Sequence, residues 1–407
     1  MYRRSSQLYP GLCAELLLLA ACGAEPTEPI KPASNTPTAG QPHTTAAGAS
    51  GAGNTALAGA ASVVTPSAPP TAQPANTAGG PTGGMLAAAG SAAMAAAGSG
   101  GHAGTAAGSG GAPQAMPPSA AATVATLYWL DINANRVMRS QNFARGETIV
   151  MRTGTAPDGV SVDVAGGKLY WTNMGSPLGT GGGSLQRANL DGTQVETIVA
   201  PGISQTPKQM QLDLVNQHLY WCDREGAKVW RAGMDGSQPE VIASEHGFRE
   251  LVGVALDVPA GKFYFSDRID KKLLRANIQM PAGQTGATRS DIEEQVVLTG
   301  NAMPIDLEID HSHHYLYWTD RQRGTVERAG LEIPTGATAA NRTDIETLVT
   351  GLTETIGIAV DVANDKMYFA ELGGRISSAA LDGSNVERGI VSSGSATGVA
   401  IAHIPAP

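Results

Sequence analysis

Between residues 124 and 404 the chain alternates short apolar runs with clusters of polar and turn-forming residues. Runs such as GVSVDV and GVALDV are rich in β-branched side chains and predict buried strands. In LYWTD (316–320), alternation places Leu, Trp and Asp on one face of a strand and Tyr and Thr on the other. Both faces carry apolar groups, so both must be covered by other elements.

The LYWTD phrase recurs along the chain, which indicates a repeat architecture. Its tyrosines stand 42 to 53 residues apart, at Tyr128, Tyr170, Tyr220, Tyr264, Tyr317 and Tyr368. Each copy after the first follows, by seven residues, an aspartate that belongs to an apolar run: Asp163, Asp213, Asp257, Asp310 and Asp361. A third and a fourth strand follow each phrase, and Asp-Gly pairs favour tight hairpin turns between strands. Each period is therefore predicted to be a four-stranded antiparallel meander.

Sheets with two apolar faces are covered on both sides when they stack around a central axis, which is the arrangement of a β-propeller. The first phrase has no apolar run with an aspartate before it, whereas the run GVAIAH (398–403) has no phrase after it. The last strand can therefore complete the first sheet and close the ring. The predicted fold class is all-β, a six-bladed β-propeller of four-stranded antiparallel blades over residues 124–404.

Composition separates this region from the chain before it. Residues 23–123 are almost entirely Ala, Gly, Thr, Ser and Pro, which bury too little apolar surface to offset the entropy of folding. We interpret them as a disordered linker. Acidic and basic residues balance before residue 123, so the net charge of −9 belongs to the predicted propeller. An acidic domain repels phosphate backbones, which argues against a nucleic-acid partner.

Residues 1–22 have the features of an export signal with a lipobox. Arg3 and Arg4 precede the apolar core LLLLAA, and the ending LAAC resembles the lipobox of bacterial lipoproteins, in which the cysteine, here Cys22, is lipidated. The alternatives are a plain cleaved signal and a misassigned start codon. With Gly23 after the cysteine, we expect export and lipid anchoring to a bacterial outer membrane, and a monomer that contacts the membrane only through the anchor. Cys222 is then the remaining thiol, so no disulfide framework is expected.

The repeated phrases resemble the YWTD repeats, or class B repeats, of the low-density lipoprotein receptor family. The resemblance covers residues 124–404. Departures are Phe in place of Trp after Tyr264 and Tyr368, and Asn173 and Glu371 in place of the final Asp. The family's domains are six-bladed propellers that bind proteins or peptides and catalyse no reaction. The resemblance therefore implies a recognition module with an unidentified protein or peptide ligand, no catalytic residue and no cofactor.

An aspartate and an arginine stand eight residues apart in several repeats, as Asp131/Arg139, Asp223/Arg231, Asp267/Arg275 and Asp320/Arg328. A hairpin centred between them would set the two side chains directly across from each other. Two interpretations follow: a ring of charges presented to a ligand, or structural cross-strand ion pairs worth roughly 0.2–1 kcal/mol each. Repetition in nearly every blade favours the structural pairs.

Other candidate chemistry is weak. The HSHH of 311–314 falls in a turn without a fixed acidic partner, and a zinc site needs three or four converging ligands, so no metal site is expected. Cys222 occupies the Thr position of the phrase and is interpreted as a small buried side chain. The recurring aspartates of the innermost strands are expected to bond backbone at a turn. The alternative function is a propeller hydrolase or lyase that acts on a lactone or ester with a divalent metal, which requires polar groups converging on the channel.

In an up-and-down meander, the fourth-to-first and second-to-third loops share one end of the propeller. We expect ligand binding on that end, because its positions differ from blade to blade: Asp158, Lys208, Gln209, Arg249, Glu250, Met303 and Glu354, with the long loop 174–184. The rival site is the opposite end, where two related insertions (279–293 and 332–346) project from adjacent blades.

Overall fold

The computed structural model describes residues 122–392 and 394–406. In this part of the chain the sheets are six, each with four antiparallel strands, and a 3-10 turn at Val362–Asn364 is the one helical element. The predicted all-β six-bladed propeller is therefore confirmed. The signal segment 1–22 with Cys22 and the linker up to residue 121 lie outside the described residues.

The strands are numbered in chain order, and in each blade the first strand named is the innermost. Blade 1 holds β24 (Ala396–Pro405), β1 (Thr123–Asp131), β2 (Arg136–Gln141) and β3 (Glu147–Val150). Blade 2 holds β4 (Pro157–Asp163), β5 (Lys168–Asn173), β6 (Ser184–Asn189) and β7 (Glu196–Val199). Blade 3 holds β8 (Pro207–Asp213), β9 (His218–Asp223), β10 (Lys228–Gly233) and β11 (Glu240–Ala243).

Blade 4 holds β12 (Leu251–Asp257), β13 (Lys262–Asp267), β14 (Lys272–Asn277) and β15 (Glu293–Val297). Blade 5 holds β16 (Pro304–Asp310), β17 (Tyr315–Asp320), β18 (Thr325–Gly330) and β19 (Glu346–Val349). Blade 6 holds β20 (Thr355–Asp361), β21 (Lys366–Glu371), β22 (Arg375–Ala380) and β23 (Glu387–Ser392).

Two strands from opposite ends of the chain close the ring. β24 pairs antiparallel with β1 in a register that runs from Thr123 opposite Pro405 to Asp131 opposite Ala396. The last strand thus becomes the innermost strand of blade 1, as predicted. Each blade then contacts its two neighbours through the innermost strands, with β24 between β20 and β4.

The aromatic side chains of the phrase fill the spaces between neighbouring blades. Trp129 packs in one buried cluster with Tyr368 and Ala359, which joins blade 1 to blade 6. Tyr317 packs with Phe369 of the next blade in the same way. Because these side chains are almost completely buried, the repeated phrase is first a packing device between sheets.

The predicted Asp–Arg cross-strand pairs are wrong, because the hairpin is centred differently. Asp131 lies opposite Arg136, and Arg139 lies opposite Tyr128. The same shift sets an arginine opposite the tyrosine in blades 2 to 5, and the misassigned pairs are Asp131/Arg139, Asp223/Arg231, Asp267/Arg275 and Asp320/Arg328. Each arginine instead pairs with a glutamate of its own fourth strand: Glu147, Glu196, Glu240, Glu293 and Glu346.

The phrase aspartates bind backbone amides and do not pair with the arginine eight residues on. Both carboxylate oxygens of Asp223 accept hydrogen bonds, from the amides of Gln205 at 2.9 Å and Thr206 at 2.8 Å, in the loop that leads into its own innermost strand. Four aspartates at the other end of the innermost strands also accept hydrogen bonds from backbone amides, as predicted: Asp163, Asp213, Asp257 and Asp310. The fifth, Asp361, instead binds the side chains of Asn364 and His403.

A β-bulge interrupts every innermost strand at its second and third residues. In β4, for example, the pairing with β5 skips from Pro157 to Val160, so Asp158 and Gly159 oppose a single residue. A bulge re-aims the side chains it carries and is common beside functional sites. The second residue of each innermost strand, which belongs to the bulge, lies at one end of the central channel. We call this end the loop face. The opposite end, with the first-to-second and third-to-fourth turns, is called the turn face.

Candidate binding face

Three of the predicted binding residues form one buried polar group in the bulges of blades 2 and 3. Lys208 Nζ lies 2.8 Å from Asp158 Oδ1, and Gln209 Nε2 donates to Asp158 Oδ2 at 3.2 Å. Burial lowers the pKa of Lys208, and the neighbouring Asp158 opposes that shift. The Asp158 side chain is 1% exposed and that of Lys208 is 10% exposed. This buried ion pair therefore helps to hold the channel mouth in place and does not present a free charge to a ligand.

A set of arginines that the sequence analysis missed lies around the same mouth. Arg224, Arg268 and Arg321 each follow the phrase acid directly, on blades 3, 4 and 5. Each pairs with a glutamate of the loop face: Arg224 with Glu225, Arg268 with Glu250, and Arg321 with Glu354 at 2.6 Å. The recurring D-R dipeptide on three adjacent blades was the signal in the sequence.

The other predicted residues lie in the loops before the innermost strands. The Arg249 side chain is 63% exposed and lies 3.9 Å from Asp270. Glu354 is 44% exposed beside Arg321. The Met303 sulfur lies 3.6 Å from Arg268 Nη1. The structure thus brings Arg249, Glu250, Met303 and Glu354 to the loop face of blades 4 to 6, beside the buried group of Asp158, Lys208 and Gln209.

An apolar cluster forms the floor of the mouth on blades 4 to 6. Val252, Ile305 and Ile356 occupy the same bulge position in three successive blades and pack together. Met303 and Leu372 are partly buried against them. The three side chains are at most 5% exposed, so the cluster supports the mouth from below, and Met303 and Leu372 are its partly exposed apolar members. These two residues lie within a rim of Arg–Glu pairs, an arrangement typical of protein-binding surfaces.

The Thr position of the phrase ties neighbouring bulges together. Thr319 Oγ1 accepts from the amide of Asp306 in its own blade at 3.1 Å and donates to the carbonyl of Ile356 in the next at 2.6 Å. Cys222 replaces the hydroxyl in blade 3, and its thiol lies 3.1 Å from the carbonyl of Gly253. Burial raises the pKa of Cys222 well above its usual value. The prediction of a small buried side chain is confirmed, and these bonds hold the mouth rigid.

The long loop 174–184 is held against blade 3. The amide of Gly179 donates to Thr206 Oγ1 at 3.0 Å, and the amide of Gly202 donates to the carbonyl of Gly181 at 2.7 Å. Its glycine backbone therefore stands beside the mouth as part of the loop face.

The two insertions of the turn face are each held by a buried arginine. Arg289 donates to the carbonyl of Ile242 on the outer strand of blade 3 at 2.6 Å, and pairs with Asp291. Arg342 donates to the carbonyl of Gln295 on the outer strand of blade 4 at 2.9 Å, and pairs with Asp344. Each insertion is therefore anchored on the outer strand of the preceding blade.

The histidines of the 311–314 turn have single acidic partners. His313 Nδ1 lies 2.6 Å from Asp310, and His311 Nδ1 lies 3.4 Å from Asp257. Among the described residues, no three His, Cys, Asp or Glu side chains come together as a set that could hold a metal ion. Within the same residues, no helix has the length and apolar character needed to cross a membrane.

Similarity to known proteins extends over the propeller. The chain is 37% identical over 276 residues to low-density lipoprotein receptor-related protein 1 of Pyricularia oryzae, covering 62% of this chain and 87% of the relative. It is 31% identical over 271 residues to the 3-hydroxyacyl-CoA dehydrogenase-like protein LAM1 of Cochliobolus heterostrophus, covering 60% of this chain and 56% of that relative. No protein-family model matches the chain.

A solved structure shares the fold. The crystal structure of a nidogen–laminin complex contains a chain that superposes with a TM-score of 0.56 at 17% identity, covering 68% of this chain and 98% of that chain. The six blades, the recurring phrase and the receptor-related relative agree. This chain belongs to the YWTD-repeat, or low-density lipoprotein receptor class B, family of six-bladed β-propellers.

Proposed function

We propose that this chain is a non-enzymatic recognition module that binds a protein or peptide ligand through its loop face. One observation carries the proposal: within a repeated frame, the channel mouth differs from blade to blade. It combines Met303 and Leu372, partly exposed above the buried cluster of Val252, Ile305 and Ile356, with a rim of Arg–Glu pairs on blades 3 to 5. Loops that ring a concavity on a rigid scaffold are the usual place for recognition. The similarity to a receptor-related relative supports the same function.

The alternative, a lactone or ester hydrolase or lyase with a divalent metal, is less well supported. Such a site needs acids that converge on the channel with open ligand positions. Asp158 is bound to Lys208 and Gln209, and Asp306 accepts from the amides of Leu307 and Ile358. These carboxylates already serve structural partners.

The proposal includes export and lipid anchoring at Cys22, which the lipobox LAAC supports. The chain enters the propeller at Thr123, which pairs with Pro405 at the outgoing end of the innermost strand. Thr123 therefore lies at the turn-face end of blade 1, opposite the loop face.

A peptide selection tests the function. A phage-displayed peptide library is panned on the immobilised full chain, and the selected peptides are titrated against variants. Arg249→Ala combined with Glu354→Ala should weaken binding at least about tenfold, which is 1.4 kcal/mol. Lys208 is unsuitable for this test, because its removal would leave Asp158 buried without its cation.

The control is Ala282→Arg, which adds a bulky charge to the exposed surface of the insertion 279–293 without touching Arg289. Binding that survives the loop-face substitutions and fails with Ala282→Arg would move the site to the turn face. Failure to enrich any peptide or protein ligand would count against a recognition module.

A further inference from the structure

A cavity of about 200 Å³ opens at the turn-face end of the central channel. Its walls come from the innermost strands of five blades, with Val162, Val360 and Ile401 among the lining residues, and most of the surface exposed to the cavity is polar. Leu214 stands at its edge with 43% of its surface exposed. A volume of about 150 Å³ can hold a molecule the size of benzene, so this cavity has room for a small organic ligand.

One carboxyl group faces this cavity. Glu308 and Gln211 occupy the fifth position of their innermost strands in blades 5 and 3, and Gln211 Nε2 donates to Glu308 Oε1 at 2.7 Å across the channel. The same position elsewhere holds small residues, Ser161, Ala255, Ala359 and Ala400. These small side chains leave the space into which Glu308 projects. All other residues that line the cavity are uncharged.

Neighbouring innermost strands approach closely at their third position, where a Cβ on Gly159 would lie 2.7 Å from the Cα of Gln209. In the six innermost strands, the side chains at this position are those of Gln209 and Asp306, which bind Asp158 and the amide of Ile358 respectively. The residues that line the cavity begin at the fourth position, so the cavity lies on the turn-face side of this level.

We propose that this cavity binds a primary ammonium group, which pairs with Glu308 and donates its other hydrogen bonds to the polar surface of the walls. A carboxylate partly removed from water is costly unless a cation compensates its charge. The amide of Gln211 supplies one hydrogen bond but no charge, and it leaves acceptor positions on the carboxylate for an ammonium donor. The ligand can be a free amine or a lysine side chain of a partner.

Binding should strengthen as pH rises from 5.5 to 8. Burial raises the pKa of Glu308 to about 7. Asp306, two residues upstream on the same strand, has its pKa raised well above its usual value by burial and by Glu308. Within the lining of the cavity, the other blades bring Gln211 and uncharged side chains. The charged and titratable side chains of the other innermost strands lie outside this lining: Asp158 and Lys208 in the bulges at the loop face, and Asp163, Asp213, Asp257, Asp361 and His403 toward the turn face. An alkylammonium group stays protonated at both pH values. The ionised fraction of Glu308 thus sets the affinity, which should rise roughly tenfold or more over this range.

The test is a calorimetric titration of the full chain with n-butylammonium chloride and with Nα-acetyl-lysine methylamide, at pH 5.5 and pH 8. 1-Butanol is the control for the alkyl chain alone. We expect saturable binding of at least one amine at pH 8, with the pH dependence above, and markedly weaker binding of 1-butanol. The amine that binds distinguishes a free ligand from a lysine side chain.

Two variants locate the site. Glu308→Gln should weaken amine binding at least tenfold and remove its pH dependence, whereas Glu294→Gln, on the outer strand beside Lys272, should not change it. Ala400→Leu fills the cavity without altering charge and should also abolish binding, which keeps the test decisive if Glu308→Gln folds poorly. Absence of binding in the parent chain, equal binding to Glu308→Gln and parent, or binding of 1-butanol as tight as that of the amines would overturn the proposal.

Discussion

The arginine opposite the phrase tyrosine links three parts of the propeller. Arg328 Nη2 bonds Glu346 of its own fourth strand at 2.9 Å, and Nη1 bonds the carbonyl of Leu381 in the next blade at 2.9 Å. Its guanidinium also lies 4.3 Å from the ring centre of Tyr315. Equivalent arginines in blades 1 to 4 reach the next blade's backbone in the same way. These residues therefore join neighbouring blades and do not form a ring of charges for a ligand.

Arg328→Met should destabilise the fold by about 1–3 kcal/mol, because it keeps the aliphatic stem but leaves a buried carbonyl and the Tyr317 hydroxyl without their charged donor. Denaturant unfolding of the full chain measures the loss. Glu346→Gln, at a side chain that is itself 48% exposed, should cost under about 1 kcal/mol. A neutral Arg328→Met, or equal losses in both variants, would contradict the linking role.

The sequence pattern did not determine which acidic side chain pairs with the arginine of each blade. The spacing of Asp131 and Arg139 is regular, but a shift of the hairpin centre sends the arginine to the tyrosine instead. A repeated glutamate at the start of each fourth strand, such as Glu147, was visible in the sequence and marks the true partner. Sequence spacing alone does not determine whether Arg139 pairs with Asp131 or with Glu147, because an arginine side chain is long enough to reach either acid.

At the scale of the strands, alternation predicts which residues form sheets but not where bulges occur. The bulge in β16 lets Ile305 join the apolar floor while Asp306 binds the backbone of blade 6. Neighbouring blades approach closely at the third position of the innermost strands, which is the position of Asp306 in β16. This close approach explains why four innermost strands have glycine there: Gly159, Gly253, Gly357 and Gly398. The mouth of the propeller is thus built by departures from the regular strand.

Closure by β24 makes the last strand necessary for the whole ring. Deleting residues 395–407 removes the innermost strand of blade 1, exposes the edge of β1 and uncovers Trp129 and Tyr128. We expect loss of the parental cooperative thermal transition, followed by circular dichroism. Deleting only residues 406–407, beyond β24, should leave the melting temperature unchanged. A 395–407 deletion that melts like the parent would rule out closure by the shared blade.

At the scale of the whole molecule, the repeat made the blade number and the closure predictable, since six phrases and one unpaired strand leave a single way to close the ring. The channel cavity was not predictable. Gln211 and Glu308 are 97 residues apart and meet only because blades 3 and 5 face the same axis. The rim of Arg224, Arg268 and Arg321 was present as a repeated dipeptide, but its pairing with loop glutamates needs the folded ring.

The proposed anchor is tested with Cys22→Ala in the full chain expressed with its signal. The parent should partition into the detergent phase on phase separation, because an acyl chain at Cys22 adds apolar surface, and the variant should partition into the aqueous phase. Cys222→Ser is the matched control and should behave as the parent, since Cys222 is buried in blade 3. If the parent and Cys22→Ala both partition into the aqueous phase, the proposal of a lipid anchor at Cys22 is wrong.

Binding at the loop face is tested most directly by a hydrogen-exchange footprint of the full chain with a selected peptide or protein ligand. We expect slowed amide exchange in the loops that precede the innermost strands of blades 3 to 6, at 200–206, 244–250, 299–303 and 350–354. The insertions 279–293 and 332–346 should exchange as in the free protein. Protection confined to the insertions, with the loop-face segments unchanged, would contradict binding at the loop face.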